Sequence, residues 1–242
     1  MTRRRQVKKS GHDRSLEKLH KAMLPSEARI VGVITSPAEL RVAERMRPTP
    51  DFFELRLDCL YPAIDVVEER VPKLKAPLII TARHPAEGGA HHLSPKQRHA
   101  LLLRFLPHAR YIDVELRSAE SMQSILESAK RRKVGRIISF HDFKSTPHWR
   151  SLHAKARAAK SQGADIFKVA TRTDTPAQLA RLFEFVAKQP ELPISAMGIG
   201  KLGAVSRIVL SRRGSKLNYA SLGRQQIDGQ LSIEQLRSVV EH

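Results

Sequence analysis

RIISFHDFKSTPHWRSLHAKARAAKSQGADIFKVA, residues 136–170, decides the architecture of the chain. It opens on a short apolar run, Ile137–His141, with the character of a buried strand. Trp149–Ser161 then carries a helical pattern, and Ile166–Ala170 is again an apolar, strand-like run. Strand, helix and strand in this order form one βα repeat and the start of the next. The second strand holds an amine, Lys168, in its middle. A buried ammonium loses its hydration, which is costly unless it is paired or neutralised. A desolvated lysine shifts towards the neutral amine, which is a nucleophile for carbonyls. The first strand ends on a histidine, His141. An amine and an imidazole at neighbouring strand ends point to Schiff-base chemistry with a general base. Taken singly, a snorkelling lysine and a core histidine explain the same residues.

The rhythm continues on both sides. Strands are expected at 30–34, 52–57, 78–82, 111–116, 193–197 and 217–222, so that strand starts recur roughly every 22–33 residues. Helical patterns fill the gaps at 37–46, 63–74, 95–106, 119–130, 176–188, 202–210 and 232–240. Ser36 and Ser94 are placed as N-caps, and Pro95 and Pro176 at first helical positions. Eight strands alternating with eight helices read as an α/β protein with a single-domain (β/α)8 TIM barrel. A doubly wound open sheet is the alternative, but no Gly-rich phosphate turn follows Ile34. Residues 1–28 read as a basic, flexible N-terminal extension and residues 29–242 as the barrel.

Composition narrows the class. With 41% apolar residues the chain can build a large core. The lone Cys59 excludes an internal disulfide framework and fits a reducing, cytoplasmic setting. No run approaches the ~18 apolar residues of a membrane helix. The formal charge is +19, of which residues 1–28 supply eight Lys/Arg against three Asp/Glu. This tail reads as solvated, with nonspecific polyanion binding as its further capacity. One Trp, three Tyr and eight Phe leave little for base stacking.

In a barrel the active site lies at the C-terminal strand ends. Here those ends carry Glu54, Arg56 and Asp58 on the second strand, alternating towards one side, and Arg83 at the end of the third. The fourth has Asp113 and Glu115, the fifth His141 and the sixth Lys168. Such residues are an expensive core without a polar ligand, the competing reading being internal ion pairs such as Glu54 with Arg83. Arg56, Arg83 and Arg207 suit a carboxylate and hydroxyls. His91-His92 reads as a solvated loop pair, not a metal site.

The ordered set Glu54-Leu55-Arg56-Leu57-Asp58, Thr81-Ala82-Arg83, Glu87-Gly88-Gly89, Ser139-Phe140-His141-Asp142-Phe143 and Lys168-Val169-Ala170 resembles type I 3-dehydroquinate dehydratase. Met197-Gly198, Ser206-Arg207, Gly214-Ser215 and Gly229-Gln230 extend the likeness over most of the chain after the tail. The resemblance implies dehydration of 3-dehydroquinate to 3-dehydroshikimate, a shikimate-pathway step towards chorismate and aromatic amino acids. It implies Lys168 as the imine-forming nucleophile, His141 as general acid/base and Glu87 as the carboxylate that orients it. It further implies Arg207 as the carboxylate ligand, Glu54, Arg56 and Arg83 as hydroxyl ligands, and Gln230, with Gln226 nearby, in a closing loop. It implies a homodimer and neither a metal nor an organic cofactor. The chain departs from the family pattern at Gln226 (commonly serine), at Ile227-Asp228 (commonly Ala-Pro), at Ser195 (frequently methionine) and at Tyr219 (commonly phenylalanine). A class I aldolase on a similar barrel, or a catalytically weakened barrel that binds polyanions, is the competing expectation.

Overall fold

The computed structural model describes residues 28–188, 191–223, 225 and 227–240. Its elements run β1 (Arg29–Ile34), α1 (Pro37–Arg45), β2 (Phe52–Arg56), α2 (Leu57–Leu60), α3 (Ile64–Arg70), β3 (Leu78–Thr81), α4 (Pro95–Phe105) and β4 (Ala109–Glu115). They continue with α5 (Gln123–Arg131), β5 (Gly135–Asp142), α6 (Trp149–Ser161), β6 (Ile166–Arg172), α7 (Pro176–Ala187), β7 (Ile194–Ile199), α8 (Gly203–Ser211), β8 (Leu217–Ser221) and α9 (Ile233–Val240). All eight strands are parallel and lie in the order β7-β6-β5-β4-β3-β2-β1-β8. This is the expected TIM barrel.

Closure between β7 and β8 is made differently from the other junctions. Lys216 N–H donates to the Ile194 carbonyl (2.8 Å), Ser195 Oγ to the Leu217 carbonyl (2.8 Å), and Ala196 N–H to Ser215 Oγ (3.0 Å). Among the described residues no strand ladder joins the two.

Strand alternation sorts the core into two compartments. Phe167 and Val169 of β6 face outward and pack with Leu152 and Phe185 of the surrounding helices. Ile166 and Ala170 face inward with Val31, Val33, Ile79, Ile137 and Tyr219. Helix starts follow their chemistry. Ser94 with Gln97, and Thr175 with Gln178, form reciprocal capping boxes, and Ser36 Oγ accepts from Glu39 N–H. Each such cap contributes about 1 kcal/mol.

Three expectations change. β2 stops at Arg56, and Leu57–Leu60 turns into a short helix, so Asp58 leaves the strand alternation. The helix expected over 63–74 ends at Arg70, and Val71–Lys73 tightens into a 3-10 turn around Pro72, which has no amide to continue the helix. The helix expected from 119 begins at Gln123, after a 3-10 turn at Leu116–Ser118. The tail expected at 1–28 lies outside the described residues apart from Ala28.

Candidate active site

Register alone assembles the interior groups. Arg56 lies opposite Thr81, Thr81 opposite Asp113, Glu115 opposite Ser139, and Ser139 opposite Lys168. His141 stands two residues beyond Ser139, about 7 Å further towards the C-terminal rim and on the same face. Of these, Arg56, His141 and Lys168 open on a cavity of about 320 Å³ at the C-terminal end of the barrel. Glu54, Arg56, Arg83, Glu87, His141, Lys168, Arg207 and Gln230 all line it. Every described residue to which the family resemblance gives a role is therefore in one place. Gln226 lies outside the described residues.

Lys168 is 4% exposed, and its burial is met by pairing. Its Nζ donates to Asp113 Oδ2 at 2.9 Å and to Glu54 Oε1 at 3.4 Å, and sits 3.9 Å from the centroid of the Tyr219 ring. Burial opposes charge on Asp113, but the Arg83 and Lys168 cations outweigh it and hold this carboxyl far below the usual range. Asp113 is thus a fixed anion, a counter-ion for any cation formed at Nζ.

His141 is anchored twice by one oxygen. Glu87 Oε2 contacts Nδ1 at 2.9 Å and accepts the His141 backbone N–H at 3.0 Å. Nε2 is thereby left for chemistry. Burial, and then the charges of Arg83 and Lys168, push the imidazole well below its ordinary value, so it is the neutral, proton-accepting form at neutral pH. Burial and the nearby Glu115 charge raise Glu87 to about 7. Glu87 reaches this place through the turn Pro85–Glu87, closed by Gly88 at φ 84°. Gly89 is required there as well, because a Cβ would lie 2.2 Å from the Arg83 carbonyl oxygen.

Arg83 is the electrostatic hub. It donates to both oxygens of Asp113 (3.0 Å each), to Glu115 Oε1 (3.0 Å) and to Ser139 Oγ (2.6 Å), with Glu54 at 3.8 Å. The expected Glu54–Arg83 pair exists, but it is the longest of these contacts. Both terminal nitrogens of Arg83 are committed, so its main offering to a ligand is charge. Glu115 is held from the other side by Arg98, a fully buried guanidinium of α4 that also donates to the Ala82 carbonyl at 2.8 Å.

Asp58 serves the loop rather than the cavity. Its carboxylate accepts from Arg56 Nε (3.0 Å) and Nη2 (2.8 Å) and from the backbone N–H of Arg83 and Ala90. It thereby fixes Arg56 at the rim. Burial raises the neighbouring Cys59 thiol to about 11, which removes it as a nucleophile near neutral pH.

Arg207, 3% exposed, bonds only main-chain carbonyls: Gly198 (2.7 Å), Gly203 (3.1 Å), Gly229 (2.9 Å) and Tyr219 (3.3 Å). Among the described residues it has no carboxylate partner, and burial alone lowers it to about 10. A buried, unneutralised guanidinium beside a cavity is a seat for an anion. Gly203 and Gly229 touch closely enough that a Cβ on Gly229 would meet Gly203 Cα at 2.7 Å, and this packing seats the loop carrying Gln230. No group of His, Cys, Asp and Glu suited to a metal occurs among the described residues, and His91 and His92 are exposed in a turn.

An amine held by two carboxylates, a neutral imidazole oriented by a third, and an unneutralised guanidinium form a site for a keto acid. The sequence model of type I 3-dehydroquinase matches residues 30–242. The chain belongs to this family. The 3-dehydroquinate dehydratase of Pyrococcus abyssi is 32% identical over 219 residues, covering 88% of this chain and 97% of the relative. The solved type I 3-dehydroquinate dehydratase of Clostridium difficile, described with covalently modified comenic acid, superposes with a TM-score of 0.79 at 25% identity, covering 90% and 93%. The 3-dehydroquinate dehydratase structure of Geobacillus kaustophilus gives 0.80 at 25% identity, covering 88% and 90%.

Asp113 and Glu115 are expected at the C-terminal end of the fourth strand, but without a partner or a role, and Arg98 is not expected in the site at all. The signal was present: two acids at alternate positions of β4 must face inward, where Lys168 and Arg83 require counter-charges. Arg98 offered no such signal, since on a helix its burial depends on what the neighbouring strands supply.

Proposed function

We propose that the chain is a hydro-lyase that converts 3-dehydroquinate to 3-dehydroshikimate and water through an imine on Lys168. The observation that carries this reading is Lys168 Nζ at 2.9 Å from Asp113 inside the cavity, with His141 one strand away and two residues further towards the rim. Membership of the family supports the substrate and sets aside the aldolase alternative. The Lys168 amine adds to the substrate ketone and expels water, leaving a cationic imine beside Asp113 and Glu54. His141 Nε2 removes the proton next to the imine carbon, and the freed electron pair is drawn towards the nitrogen. The leaving hydroxyl takes that proton back from His141 and departs as water, forming the ring C=C bond. A second water hydrolyses the imine and frees Lys168. Glu87 holds Nδ1 throughout. Arg207 binds the substrate carboxylate, Glu54 and Arg56 hold its hydroxyls while Arg83 adds its charge, and Gln230 belongs to the loop that closes over the site.

The test is borohydride trapping with 3-dehydroquinate followed by peptide mass mapping. An adduct on Lys168 is expected; full turnover by Lys168→Ala, or an adduct elsewhere only, overturns the mechanism. The homodimer and the cytoplasmic location rest on the resemblance and on Cys59. Among the described residues no helix is long and apolar enough to cross a membrane.

A further inference from the structure

Charge is divided unevenly between the two ends of the barrel. The segments leading from a helix into the next strand lie at the N-terminal end of the sheet, away from the cavity. Among the described residues they hold nine Lys/Arg and three Asp/Glu. The segments leading from a strand into the next helix, which frame the cavity, hold four of each among the described residues. Charge at the mouth is balanced, and the excess lies on the back.

That excess has a focus. Lys130-Arg131-Arg132-Lys133 closes α5, and Arg110 of β4 and Arg136 of β5 flank it. Arg110, Lys130, Lys133 and Arg136 line a second cavity of about 330 Å³, with Tyr111 and Asp165 in its wall. Asp165 is the one acid there, and Arg136 engages both of its oxygens at 3.1 Å. Arg110, Lys130, Arg132 and Lys133 have no carboxylate partner among the described residues. Lys133 adopts φ 58°, a left-handed conformation that costs a non-glycine residue energy. At the matching ends of α6 and α8 this conformation falls on glycines, Gly163 (φ 86°) and Gly214 (φ 103°). The exception places one more cation at the rim of the cleft.

We infer that this back face is a docking surface for the phosphate backbone of a nucleic acid, with Arg110, Lys130 and Lys133 of the cleft seating one phosphate. Unneutralised cations in a row suit evenly spaced phosphates, and guanidinium groups suit their geometry. The chain enters β1 at Arg29 on the same face, so residues 1–28, with five net positive charges, are tethered to it. A second copy of the chain is a poor occupant, because two such faces repel. A lipid surface is a poor occupant too: none of the exposed large apolar side chains lies in the helix-to-strand segments. Docking here leaves the substrate cavity, at the other end, open.

The test uses the full chain and a fluorescein-labelled 20-nucleotide RNA, read by anisotropy between 50 and 200 mM KCl. Engagement of about four phosphates lowers affinity about 50-fold over that range for a single strand. The triple variant Lys130→Ala/Arg132→Ala/Lys133→Ala is expected to weaken binding at least tenfold and to flatten the logarithmic salt slope by about 2. Turnover of 3-dehydroquinate and the thermal midpoint are expected to stay unchanged. Unchanged RNA affinity in this variant overturns the inference. So does complete loss of binding in Arg3→Ala/Arg4→Ala/Arg5→Ala, which would place the affinity in the tail alone. Binding to phosphatidylserine vesicles without binding to RNA overturns it as well.

Discussion

Replacing Tyr219 by phenylalanine is expected to stabilise the protein. The Tyr219 side chain is 3% exposed, and its hydroxyl is fully buried with no hydrogen-bond partner among the described residues. Burial, and then the charges of Glu54 and Asp113, hold the phenol well above its ordinary value, so it stays neutral and cannot gain by ionising. A buried hydroxyl with no partner costs about 1–3 kcal/mol. Removing the oxygen leaves a void of roughly 15 Å³, worth about 0.4 kcal/mol in the other direction. The ring face under Lys168 Nζ survives in phenylalanine, so that attraction is retained. The net expectation is a gain of about 1–2 kcal/mol, or about 3–6 °C in the thermal midpoint for a domain of this size. Urea titration and calorimetry of the full-length variant measure it, with borohydride trapping as a check that Lys168 remains in place. A loss of about 1 kcal/mol would refute the reasoning, because it would mean that the hydroxyl has a bonding partner in solution.

Glu87→Gln should reveal two effects of pH. The Glu87 carboxyl sits at about 7, against 4.5 for the free side chain, so the folded state holds a proton that the unfolded chain has already lost. Stability should therefore fall as pH rises from about 4.5 to 7, by up to roughly 3 kcal/mol, and level off above; the Gln variant should lack this slope. Turnover of the parent should rise through about pH 7 as Glu87 gains the charge that holds His141 Nδ1, while Glu87→Gln should be at least tenfold slower without that limb. Asp113→Asn strips the closest counter-ion from Lys168 and half of the Arg83 fork, and should cost about 3 kcal/mol in urea unfolding. Arg207→Met should raise KM for 3-dehydroquinate at least tenfold; an unchanged KM would remove Arg207 from the carboxylate site.

The barrel was legible because its two periods, two residues for strands and 3.6 for helices, alternate without interruption from residue 30 onwards. Lys168, His141 and Glu87 were legible as residue types at strand ends and in the loop beyond β3. The pairing of Glu87 with His141 came with the family resemblance, but the partners of Lys168 were not legible. The two partners of Lys168 lie 55 and 114 residues away, and only the barrel register brings them together. Asp58 departs from its expected place for a local reason: alternation holds through Arg56, but the chain then turns into the helix Leu57–Leu60, and the backbone N–H groups of Arg83 and Ala90 hold the acid against the loop beyond β3. The uneven spread of charge was invisible in a net figure. It emerged once the topology assigned each connecting segment to one end of the barrel.

Arg207 spans the junction of β7 and β8, which has no strand ladder among the described residues, bonding the Gly198 carbonyl of β7 and the Tyr219 carbonyl of β8. The sheet thus has a seam, and a side chain that holds the seam also faces the ligand. An anion seated on Arg207 would restrain its guanidinium and with it both strands. Slowed deuterium uptake along β7 and β8 would then follow occupancy of the cavity, and the barrel would be most fully closed when it is loaded.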